Sequence, residues 1–133
     1  MLKIKCADWD RMSSKSSFRV QALEDLVNLR RPVGEAVSAL VKFPIDSEEE
    51  LIDLTPVSIM TVLDKYLSGD LSAQEVELWA ETLYMRDDVG LQEKCEGTLK
   101  MALFELSSPE INEPITYEVA LDWKARLRSC LVR

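Results

Sequence analysis

Apolar positions recur at helical spacing along most of the chain. Phe18, Ala22, Leu23, Leu26, Val27 and Leu29 share one face of a predicted helix. Arg30-Arg31-Pro32 ends it, and Pro32 opens a second stripe through Val33, Ala36, Val37, Leu40 and Val41. Phe43-Pro44-Ile45-Asp46 interrupts the pattern. Ser47-Glu48-Glu49-Glu50 sets a serine cap three residues ahead of a glutamate, which predicts a short helical turn carrying Leu51, Ile52 and Leu54. Thr55-Pro56 starts the next helix, with Ile59, Met60, Leu63, Tyr66 and Leu67 inward, and Ser68-Gly69-Asp70 stops it.

Ser72-Ala73-Gln74-Glu75 is a capping box and the strongest local signal in the chain. The helix it opens should run to about Arg86, with Val76, Trp79, Ala80 and Leu83 in the core. Asp87 to Leu91 reads as a loop. Gln92 to Leu106 reads as a helix with Cys95, Leu99, Ala102, Leu103 and Leu106 on one side. Gly97, Met101 and Phe104 form a stripe opposite, the pattern of a central helix. After a loop from Ser107 to Pro114, Thr116 caps a last helix whose inner face is Val119, Ala120, Trp123, Leu127, Cys130 and Leu131. Residues 1–16 are the least regular; Leu2, Ile4 and Cys6 alternate with Lys3 and Lys5, the pattern of a short edge strand. The expected fold is all-α, a single domain over residues 1–133 built as a bundle of about five helices.

Composition narrows the chemistry. The chain has 133 residues, enough for one hydrophobic core. No apolar run approaches the roughly 18 residues that span a bilayer, and the basic start has no apolar h-region behind it. The expectation is a cytoplasmic chain with no membrane partner. Cys6, Cys95 and Cys130 are widely spaced and odd in number, so they read as buried free thiols. Histidine is absent, which removes the usual general base and commonest metal ligand. No Gly-rich phosphate loop, G-x-S-x-G or D-x-D-x-D-G loop occurs. No catalytic residue, metal ligand or cofactor is therefore expected.

Charge adds the functional signal. The net charge is −8, and it is concentrated: residues 43–93 hold 13 acids against 2 bases. Such a segment is either a solvated face or a docking face for a basic partner, and it repels nucleic acid. The candidate contact residues are the run Asp46, Glu48, Glu49, Glu50 and Asp53, together with Glu77, Glu81, Tyr84, Asp87 and Asp88. Helical spacing puts Glu77, Glu81, Tyr84 and, if the helix extends so far, Asp88 on one polar arc. A tyrosine set among acids is a typical interface anchor, and packing under a neighbouring loop is the alternative.

The stretch from Leu67-Ser68-Gly69-Asp70-Leu71-Ser72-Ala73-Gln74-Glu75 to Trp79 resembles the loop and Ser-x-x-Glu helix of small helical bacterial immunity proteins, of the colicin and contact-dependent growth inhibition types. Glu105-Leu106-Ser107-Ser108-Pro109-Glu110-Ile111-Asn112 is similar to loops in other bacterial helical proteins. The resemblance covers residues 54–112 at most. It implies an inhibitor that binds and neutralises a basic toxin domain, such as a nuclease. An adaptor or regulatory subunit, docking through an apolar groove, is the competing expectation.

Overall fold

The computed structural model describes residues 18–132; the strand expected near Leu2, Ile4 and Cys6 lies outside them. The described chain is mainly α-helical, as expected. Helix α1 covers 18–27, and α2 is Val33–Leu40. Strand β1 is Ile52–Leu54, followed by α3, Pro56–Leu67, and α4, Ala73–Tyr84. Strand β2 is Val89–Leu91; a 3-10 turn at Glu93–Cys95 leads into α5, Glu96–Ser107, and α6 is Tyr117–Leu131. That makes six α-helices among the described residues, where the periodicity predicts about five.

The helix starts are where the local grammar puts them. The Thr55 side chain accepts from Ser58 N, and the Ser58 side chain returns a bond to the Thr55 amide. Ser72 and Glu75 form the same reciprocal pair, and Thr116 accepts from Val119 N. Each satisfies amides that a helix start leaves without partners. Gly69, at φ +87°, ends the α3 turn in a conformation that only glycine adopts without strain.

The core is one cluster in which Leu23, Leu40, Ile59, Leu63, Trp79, Leu83, Leu99, Leu103 and Leu127 are all buried. The indole Nε1 of Trp79 donates to the Leu26 carbonyl at 2.8 Å, tying α4 to the end of α1. Helix α5 packs most extensively on α4, and α6 packs on α3. The second apolar stripe of α5 is only partly covered: Phe104 is half-buried, whereas Gly97 and Met101 are exposed. That helix is therefore less central than its composition suggests.

Two expectations are corrected. Ser47–Glu50 does not open a helical turn, and of the loop expected over Asp87 to Leu91 only Asp87-Asp88 is a turn, while Val89–Leu91 is a strand. The chain instead forms a two-stranded parallel sheet, with Ile52 opposite Val89 and Leu54 opposite Leu91. The Asp88 carbonyl accepts from the amides of Leu51 (2.8 Å) and Ile52 (3.3 Å), and Gln92 N donates to Leu54 O at 2.9 Å. These long-range bonds take the amides that a helical turn would have used. The cysteine reading is also corrected. Cys95 and Cys130 form a disulfide with their Cα atoms 5.9 Å apart, because the start of α5 meets the end of α6. Cys6 lies outside the described residues.

Among the described residues no helix is long and apolar enough to cross a membrane, and no group of three or more His, Cys, Asp or Glu is placed to hold a metal ion.

Candidate functional site

The clearest site begins with a buried ion cluster. Asp88 is 0% exposed, and Arg86 is 6% exposed. The Arg86 guanidinium grips the carboxylate twice, from Nε to Oδ1 and from Nη2 to Oδ2, both at 2.9 Å. Arg19, on α1, donates from Nε to Oδ2 at 2.8 Å. Burial pushes the Asp88 carboxyl up, but the hydrogen bonds and charges of Arg86 and Arg19 outweigh it and hold the group below the ordinary carboxylate range.

The same arginines fix the loop above them. Arg19 Nη2 donates to the carbonyls of Pro44 (2.8 Å) and Asp46 (2.9 Å), and Arg86 Nη2 donates to Pro44 O at 2.9 Å. Asp87 N donates to Ile45 O at 2.9 Å. The segment 43–52 is thus anchored from α1, from the turn after α4 and from β2. An Arg–Asp–Arg cluster so arranged carries one surplus positive charge beneath a loop rich in acids.

That loop borders an open groove of about 850 Å³. Its lining includes the apolar side chains of Phe43, Pro44 and Leu51 and the acids Asp46, Glu48, Glu49 and Asp87. Ile45, beside these residues in sequence, is exposed, as is Met85 at the end of α4. Apolar surface within a charged rim is the usual anatomy of a protein-binding patch.

The other expected contact residues lie elsewhere. Glu50 lines a separate recess of about 440 Å³ with Tyr84, Glu93, Glu96 and Lys100. The Glu50 and Asp53 carboxylates close over Gly90; a Cβ added there would sit 2.5 Å from Glu50 Oε1 and 2.8 Å from Asp53 Oδ1. Tyr84 is half-buried and packs against Phe104 of α5, with ring centroids 5.8 Å apart, so its neighbour is a helix and not the loop of the expected alternative. Glu77 and Glu81 remain on α4. Partial desolvation raises the Glu77 pKa, and the charges of Glu110 and Glu81 raise it further. Asp88 is the plain correction. Helix α4 ends at Tyr84, so the polar arc never reaches Asp88, and the turn that follows carries its side chain inward.

Sequence reasoning missed Arg19, Arg86 and the apolar groove residues Phe43, Pro44 and Leu51. One signal was present: Arg86 is one of only two bases within the acidic segment, and it stands two residues before Asp88. Nothing local marks Arg19, which is 69 residues from its partner. No family model, no characterised protein and no solved structure is significantly similar to this chain, so the site's own geometry is the ground for assigning function.

Proposed function

We propose that this chain is a protein-binding domain that takes a basic protein partner in the groove between Phe43 and Asp87, and that it serves as an immunity-type inhibitor of a bacterial toxin domain. One observation carries the reading: Asp46, Glu48, Glu49 and Asp87, from two distant stretches of sequence, line one open groove with apolar residues among them. A basic enzyme acting on a polyanion presents the complementary charge, and an acidic face speeds its capture. The buried Arg19–Asp88–Arg86 cluster supports the reading by holding the loop in one conformation, which lowers the ordering cost of docking. Such an inhibitor acts in the cytoplasm, and no catalytic step is assigned to it.

Photo-crosslinking tests the proposal. A benzophenone side chain replacing Phe43 should capture a basic protein in the native cell. The triple reversal Asp46→Lys, Glu48→Lys and Glu49→Lys in the same chain should abolish that capture. Capture of an acidic protein, or capture indifferent to the reversal, would sink the reading. The exposed Ile45 and Met85 favour a second reading, an adaptor held by apolar contact; its complex would survive high salt, whereas the charge-led complex would not.

A further inference from the structure

We infer that the Cys95–Cys130 disulfide is a redox latch on the last turn of α6, opened by a dithiol or a glutathione-class thiol without loss of the fold. The inference does not depend on the groove.

The latch has a defined place. Cys95 ends the 3-10 turn after β2, and Cys130 lies one residue before the end of α6. The remainder of α6 is held by other means. Thr116 caps its start, Tyr66 Oη donates to the Ile115 carbonyl at 3.2 Å, Lys124 pairs with Asp64, and Trp123 and Leu127 are buried. At the far end the disulfide is supplemented by a surface hydrogen bond from Lys94 Nζ to the Leu131 carbonyl at 3.2 Å. Breaking the S–S bond therefore releases the final turn and the 93–95 segment, while the α3–α6 packing stays in place.

Access is controlled by the same turn. Cys95 is 2% exposed and Cys130 is 7% exposed, so a thiol reaches the bond only when the α6 terminus frays. The reductant thiolate then attacks Cys130 Sγ, the S–S bond breaks, and Cys95 leaves as a thiolate that takes a proton. The second reductant thiol displaces Cys130, which is protonated in turn. The chain gains two electrons and two protons, and the reductant departs as its disulfide. A cytosolic glutathione pool has the chemistry to do this, which makes the latch a reporter of compartment.

The test uses the full chain, purified without reductant. Alkylation in denaturant, read peptide by peptide in a mass spectrometer, should leave Cys95 and Cys130 unlabelled before dithiothreitol treatment and label both afterwards. Dithiothreitol applied to the folded chain should speed amide exchange in 92–96 and 128–132 by about tenfold or more, with far-UV circular dichroism and the protection of 18–91 unchanged. The variant Cys95→Ser/Cys130→Ser should show the same exchange pattern without reductant. Labelling of Cys95 and Cys130 before reduction would overturn the latch. So would exchange unaltered by reduction, or global unfolding of either the reduced chain or the double variant.

Discussion

At the scale of single residues, Asp88 governs the region around the groove. Its carboxylate is enclosed with Arg86, so truncation leaves a buried guanidinium unpaired. Asp88→Ala should cost about 3–5 kcal/mol of stability, read from urea denaturation. The pH dependence follows from the lowered pKa of Asp88 in the fold. The unfolded state binds the proton more readily, so the ion cluster stabilises the protein fully above the ordinary carboxylate range and loses that contribution as pH falls through the folded pKa. Asp88→Asn should flatten the acid side of the stability profile. An acid limb equal to that of the parent would show that the cluster does not control it. None of this is legible locally. Helical periodicity carried three residues past Tyr84 puts Asp88 on an outer face, and only the chain's return past Arg19 reveals where the side chain goes.

Gly90 illustrates a gentler case. A methyl group there would meet the ends of the Glu50 and Asp53 side chains, not backbone. Both ends can swing into solvent, so Gly90→Ala should lose less than about 1 kcal/mol by thermal or urea unfolding, while separating the two carboxylates.

At the scale of elements, two similar sequence signals had opposite outcomes. Ser72-x-x-Glu75 caps α4, whereas Ser47-x-x-Glu50 caps nothing. Instead Ser47 Oγ donates to Glu49 O and accepts from Glu49 N within an exposed turn. Ser72→Ala should therefore cost about 1 kcal/mol. Ser47→Ala should stay within about 0.5 kcal/mol of the parent, as surface changes usually do. Equal effects in paired urea titrations would contradict this difference. The physical reason is competition. After Ser72 the following amides have no partner but the helix, while the amides of Leu51 and Ile52 find the carbonyl of Asp88.

At the scale of the whole molecule, the acidity of residues 43–93 is divided among the groove, the recess at Glu50 and the α4 face at Glu77 and Glu81. The groove lining holds four acids, Asp46, Glu48, Glu49 and Asp87, against one base, Arg19, and salt should screen the net like-charge repulsion. Raising ionic strength should increase the urea midpoint of the parent chain, and the triple lysine reversal should reduce that dependence. A midpoint in the parent that is indifferent to salt would show that the acids are already balanced by their surroundings.

The sequence by itself determined the helical class, the caps of α3 and α4, the stop of α3, the inward faces carrying Trp79 and Trp123, and the segment that holds the negative charge. Each of these depends on residues within a turn or two of one another, where spacing and side-chain chemistry act directly. Tertiary structure alone decided that Leu51 and Ile52 would join a parallel sheet, that Asp88 would be buried between two arginines, and that Cys95 would meet Cys130. It also decided which acids would share a groove. Those outcomes depend on groups separated by 35 to 69 residues, brought together only when the core closes.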